Sequence, residues 1–271
     1  MPLPKNLILV RHGQSEGNIA TKASENGDNS IFTPEFMDRH SREYRLTDLG
    51  IEQAKSAGEW LRKNITFPIG YYYVSDYIRA KETAFYLQLP NAAWSVEFQL
   101  RERDMALMDN LPRDERDKLF PLERKQYQID PFFSFPAGGG ESVAHLCLRL
   151  KADFLDHLAR NRSDGSVIVV CHGHVMRALQ LEIENCGHDD FLRLEKSEDL
   201  KDKIRNCQIV WYSRQDPENR LIESIRMLAV RSICPWGTDG DYGWRYIRRT
   251  KLSNDQLMDD VNRYPRHANS K

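Results

Sequence analysis

The apolar run Leu7-Ile8-Leu9-Val10 has strand length and stops abruptly at Arg11-His12-Gly13, as a parallel strand buried on both faces stops in a functional loop. The run over residues 167–170 repeats the pattern, entering Cys171-His172-Gly173-His174 and then a helix over 175–184. A third strand is expected over 71–74, followed through Ser75-Asp76 by a helix to about Leu87, and a weaker strand over 94–98. Helical spacing marks two longer segments. In residues 46–64, Thr47 can cap a helix whose apolar face is Leu49, Ala54, Ala57, Trp60 and Leu61. In residues 141–160, Val143, Leu146, Leu150, Phe154 and Leu158 share one side. Residues 208–212 and 222–230 read as late strands, with a hairpin around Asp216-Pro217-Glu218-Asn219.

Strands alternating with helices predict an α/β fold, a three-layer sandwich whose central sheet is mainly parallel and flanked by helices. The loops at the carboxyl ends of such strands line a ligand crevice, so Arg11-His12, Ser75, Arg79 and His172 are expected on one edge. Between 103 and 136 the pattern breaks into charged and proline-containing pieces, closed by Gly138-Gly139-Gly140. A connection that long is usually a lid or cap. The expectation is one domain over 1–271 with a cap insertion around 103–140.

Composition narrows the function classes. The chain has 271 residues, with 39 Lys plus Arg against 40 Asp plus Glu and a net charge of -1. No charge bias points to nucleic acid or an acidic membrane. The apolar run near residue 7 is too short for a signal core or a span, and a cytoplasmic protein is expected. Cys147, Cys171, Cys186, Cys207 and Cys234 include no C-x-x-C pair, which fits free thiols in a reducing compartment. Neither metal nor other cofactor is expected, because no His or Cys spacing suits a metal.

The strand-end residues carry the chemistry. A neutral imidazole can attack phosphorus if its other N–H is held by an acceptor. Gly13 lets backbone come close to such a ring, and Arg11 supplies a planar donor fork for phosphoryl oxygens. Alone, Arg11-His12-Gly13 could equally be a solvated loop. Together with His172-Gly173 and Ser75-x-x-x-Arg79-Ala80-x-x-Thr83, it makes an anion pocket of two histidines and two arginines.

These motifs, in this order over residues 7–184, resemble the histidine phosphatase superfamily, which contains cofactor-dependent phosphoglycerate mutases and many phosphatases. The resemblance implies that His12 is phosphorylated during turnover and that Arg11, Arg79 and His172 bind the transferred group. It implies an amide contact from Asn18 and a place in the site for Ser15, whose hydroxyl could instead cap its own backbone. Glu102 stands where the family keeps its proton donor, with a pKa expected to be raised; a surface ion pair with Arg101 or Arg103 is the alternative.

After Glu102 the family places an aromatic residue and a glycine, whereas Met105-Ala106-Leu107-Met108 stands here. The basic stretch expected of a phosphoglycerate mutase is also missing, and Phe132-Phe133-Ser134-Phe135-Pro136 with Gly140-Glu141-Ser142 is similar to broad-specificity phosphatase members. Glu141 could serve the helix dipole or the site, and the phenylalanines fit packing better than a substrate cage. Arg39, Arg42 and Arg45 could meet a distal anion or belong to a charged loop. His174 is set aside as structural, as are His40, His145, His157, His188 and His267. The aromatic tail around Trp236, Tyr242, Trp244 and Tyr246 is expected to pack.

The expected activity is metal-independent hydrolysis of a small-molecule phosphate monoester through phosphohistidine. The alternatives are a phosphoglycerate mutase and a non-catalytic phosphate-ligand binder. A homo-oligomer is left open.

Overall fold

A computed structural model describes residues 1–237, 240–249 and 251–268. In chain order, β1 (Asn6–Arg11) is followed by α1 (Glu16–Glu25), α2 (Pro34–Met37) and α3 (Asp48–Asn64). Then come β2 (Tyr71–Ser75), α4 (Ile78–Tyr86), β3 (Trp94–Glu97), α5 (Arg113–Leu119) and α6 (Pro121–Ile129). α7 (Val143–Arg149) and α8 (Asp156–Asn161) flank a π-helical segment, Leu150–Leu155. The chain closes with β4 (Ser166–Cys171), α9 (Gly173–Glu184), α10 (His188–Lys196), β5 (Ile209–Ser213), β6 (Ala229–Ile233), β7 (Asp241–Tyr246) and α11 (Asn254–Asn262).

The seven strands form one sheet in the order β3-β2-β4-β1-β5-β6-β7. β3, β2, β4 and β1 are mutually parallel, as expected, and β5, β6 and β7 add antiparallel pairings, so the sheet is mixed. Period-two alternation divides the parallel strands between two helical layers. Leu7, Leu9, Val167 and Val169 face Val143, Leu146, Phe154, Val175 and Leu179 of α7 to α9. Ile8, Val10, Ile168 and Val170 face Ala54, Ala57, Leu61, Ala80 and Ala84 of α3 and α4. Burial on both faces is why these strands read as unbroken apolar runs.

Register positions the site. Arg11 pairs with Cys171 and Val74 with Val170, so β1, β4 and β2 all end at one level. His12 and His172, which follow β1 and β4, and Ser75, the last residue of β2, stand at that edge.

Thr47 caps α3 as expected, its hydroxyl accepting from the Gly50 N–H at 3.1 Å, a bond of about 1 kcal/mol. Leu49, in the first turn of α3, departs from the expected apolar face and is 51% exposed. The late strand expected over 222–230 lies instead at Ala229–Ile233. Ile222 and Ile225 are exposed in the connection, so their apolar character does not mark a strand. Of the aromatic tail, Trp244 packs as expected, edge-on to Trp211 at 4.9 Å, whereas Trp236 and Tyr246 are exposed.

Candidate active site

The loop after β1 is gripped from three sides. The His12 N–H donates to the Cys171 carbonyl at 2.9 Å, and the His12 carbonyl accepts from the Cys207 N–H and Asn206 Nδ2. Thr83 Oγ1 accepts from the Gly13 N–H at 3.0 Å and donates to the Arg79 carbonyl at 2.7 Å. One hydroxyl thus ties the loop to α4. A Cβ on Gly13 would overlap the Gly50 carbonyl, and one on Gly50 would overlap that of Gln14. The glycine after His12 serves this approach to α3 and also supplies the carbonyl that holds the ring.

That carbonyl sets the tautomer. His12 is 2% exposed, and its Nδ1 lies 2.7 Å from the Gly13 oxygen. A carbonyl only accepts, so Nδ1 carries the proton and Nε2 keeps its lone pair. Burial, then the charges of Arg79, His172 and Arg11, hold the His12 pKa well below its ordinary value. The ring is therefore neutral at physiological pH.

Around it, His172 places its ring centroid 5.1 Å from that of His12 and bonds Ser75 Oγ through Nε2 at 2.8 Å. Its Nδ1 is buried without a hydrogen-bond partner among the described residues. Burial, with Arg79, also keeps His172 neutral. Arg79 donates from one terminal nitrogen to the Ser41 carbonyl at 2.8 Å. Its guanidinium stacks over the Tyr77 ring at 4.8 Å. Arg11 anchors to the Ile204 carbonyl at 2.6 Å, and its Nε is buried and unpartnered among the described residues.

Of the residues predicted for the site, Arg11, His12, Ser15, Asn18, Arg79 and Glu102 all border one cavity of about 640 Å³. His172 is fully buried beneath its floor rather than on its surface. Ser15 precedes α1 and donates from Oγ to Asn18 Oδ1, which also accepts from Asn206. With that oxygen engaged, the Asn18 amide has its Nδ2 left for an anion.

At Glu102 burial raises the pKa, but the hydrogen bond and charge of His174, then His172 and the Arg103 N–H, outweigh it and hold the group well below the usual carboxylate range, so the group is a carboxylate. His174, set aside in the sequence, lies 3.7 Å from Glu102 through Nδ1 and borders the cavity. His40 and Tyr77 border it too. Arg42 does so alone among the three loop arginines, since Arg39 pairs with Glu16 and Arg45 with Glu82. Glu141 is turned away, clamped to Arg149 at 2.7 Å. In the stretch where the family keeps a glycine, Ala106 holds a left-handed φ of 44°, so the turn persists with a side chain in it.

The model of the histidine phosphatase superfamily, branch 1, matches residues 7–222. The chain belongs to that superfamily. Its members are phosphatases and mutases, enzymes acting on phosphate esters. Within this superfamily the chain is similar to the 2,3-bisphosphoglycerate-dependent phosphoglycerate mutase of Rhizobium meliloti, 30% identical over 199 residues, covering 69% of this chain and 83% of the relative. The mutase of Methylocella silvestris is 29% identical over 189 residues, 66% of this chain and 81% of the relative. Among solved structures, a mycobacterial glucosyl-3-phosphoglycerate phosphatase superposes with a TM-score of 0.59 at 20% identity, over 81% of this chain and 94% of that one. A putative alpha-ribazole-5'-P phosphatase from Escherichia coli gives 0.61 at 16% identity, over 83% and 98%. The two structures share this fold. Among the described residues, no helix is long and apolar enough to cross a membrane.

Proposed function

We propose that this member of the superfamily is a phosphatase that hydrolyses small-molecule phosphate monoesters through a phosphohistidine on His12. The observation that carries the reading is the Nδ1 bond to the Gly13 carbonyl, which leaves Nε2 as a neutral nucleophile aimed at an arginine-lined cavity. In the first step Nε2 attacks phosphorus in line, forming the N–P bond as the P–O bond to the alcohol breaks. Arg11 and Arg79 take the charge of the phosphoryl oxygens, His172 offers Nδ1, and Asn18 offers its amide.

Glu102 gives the leaving oxygen its proton. The negative charge of a phosphate bound beside it raises its pKa and lets it take up the proton it will donate. In the second step Glu102, now a carboxylate, accepts a proton from water as the water oxygen attacks phosphorus. Phosphate leaves and His12 is neutral again. The charge is balanced by guanidiniums, so the mechanism calls for no divalent ion.

Part of the cavity lining supports hydrolysis over mutase chemistry. A mutase has to hold a second anionic group of a sugar acid. Here Arg103 is spent on the Glu141 and Ser134 carbonyls and Arg177 on Gln180 and the Asp202 carbonyl. Asp76, Asp104, Asp109 and Glu195 border the cavity, opposite in sign to Arg42, Arg101 and Lys203. The mutase reading keeps the support of relatives near 30% identity. Incubation with 3-phosphoglycerate separates the two. Free phosphate without isomer is expected, and the 2-phospho isomer appearing faster than phosphate would reverse the assignment. A protein that bound phosphate esters and released neither product would be the non-catalytic binder.

A further inference from the structure

A second cavity of about 420 Å³ lies under α5 and α6. Thr21, Arg103, Met105 and His174 border both cavities. The wall shared by the two cavities is therefore beside Glu102, since His174 stands 3.7 Å from that carboxylate. The alcohol that leaves must have its oxygen within reach of the proton donor, so the chamber lies on the side where the alcohol departs.

Met105, Met108, Phe135 and Pro136 give the chamber apolar walls among charged residues. Two polar groups there have unused bonding capacity. Ser134 is 9% exposed, and its hydroxyl has no hydrogen-bond partner among the described residues. Arg116 is half-buried and anchored by Nε to the Leu111 carbonyl at 2.8 Å. Its two terminal nitrogens make no hydrogen bond or ion pair among the described residues. Asp109, Asp117 and Glu25 act on it only through their charge, and a carboxylate is the planar group that satisfies two adjacent N–H donors at once. Of the acids bordering the chamber, Asp117 is already paired with Arg124 at 3.5 Å, while Glu25 and Glu123 remain on its wall.

Resting on the hydrolase reading of the first cavity, we infer that this chamber is a leaving-group subsite. It takes the alcohol of an elongated phosphate monoester whose apolar body ends in a carboxylate held by Arg116. The phosphoryl group stays with His12 while the body passes His174 and lies along Met105 and Phe135.

Calorimetric binding of phosphonates tests this without requiring turnover. The probes are methylphosphonate, 3-phenylpropylphosphonate and its para-carboxylate and para-aminomethyl derivatives. The carboxylate is expected to bind at least tenfold tighter than the unsubstituted phenylpropyl compound, which in turn binds tighter than methylphosphonate. Arg116→Gln should abolish the carboxylate gain, with Arg116→Lys keeping part of it. Met108→Trp, which fills the chamber from its opposite wall, should cancel the gain from the apolar body, and thermal melts show that each variant is folded. Equal affinities for all four probes, no binding by any, preference for the amine, or a carboxylate gain that survives Arg116→Gln would each overturn the subsite. Phosphate release from p-nitrophenyl phosphate is scored separately. Its absence overturns the hydrolase reading, and binding still decides the subsite.

Discussion

Arg79 donates from Nε to Nε2 of His12 across 3.3 Å. The donor meets the one ring nitrogen that carries no proton, so the guanidinium lies along the lone pair that has to reach phosphorus. In the proposed mechanism a phosphoryl group takes the place of this bond, with its oxygens on the guanidinium and phosphorus before Nε2. The same residue is tethered to Ser41 at its other end and to the Gly13 loop through Thr83. Nucleophile, charge acceptor and the segment roofing the cavity are thereby joined in one hydrogen-bonded unit.

The buried histidines make stability depend on pH. His12 and His172 are neutral when folded, with pKa values well below the ordinary 6.5, because burial and neighbouring cations disfavour a further charge. The unfolded chain takes up protons at these sites near pH 6.5 and the folded chain does not. Stability is therefore greatest above that pH and falls as pH drops below it, by up to about 2.7 kcal/mol per pH unit for two protons. Glu102, with its pKa depressed, contributes in the same direction only below its ordinary 4.5. Denaturant melts between pH 7.5 and 5.5 should show this slope, and it should flatten in a His12→Asn, His172→Asn double variant. An unchanged slope in that variant would assign the effect elsewhere.

Gly13→Ala drives a methyl group into the Gly50 carbonyl, and backbone lies on both sides of the contact. Overpacking of this kind costs about 1–3 kcal/mol. The substitution should lower the melting temperature and also lower kcat, because relieving the clash moves the carbonyl that orients His12. Melting and turnover measured on one preparation check the coupling. Full activity in a destabilised variant would separate the glycine from the ring.

Glu102→Gln removes the proton for the leaving oxygen and keeps the size of the side chain. Alkyl phosphates, whose alkoxides leave poorly, should slow by about 10²- to 10⁴-fold. p-Nitrophenyl phosphate, whose leaving group needs no proton, should slow far less. Equal losses on both esters would take Glu102 out of the donor role.

How much of this was legible in the sequence follows from how each part is built. The parallel strands and their terminal motifs were readable because burial on both faces leaves unbroken apolar runs, and the chemistry begins where each run ends. The insertion is visible as a break in pattern, but α5 and α6 are not, since neither buries a residue. The π-helical turn at Leu150–Leu155 keeps its apolar residues inward and is silent in the sequence. His174 was passed over because its place depends on an approach to Glu102 from a distant part of the chain, and no local pattern encodes that.

The central claim is that His12 accepts the phosphoryl group through Nε2. Rapid-quench mixing with a ³²P-labelled ester, followed by acid and alkali treatment and peptide mapping, tests it directly. The account predicts label on His12 that is labile to acid and stable to alkali, forming no slower than turnover and absent from His12→Ala. Turnover with no label on the protein, or label on another residue in an active His12→Ala variant, would contradict it.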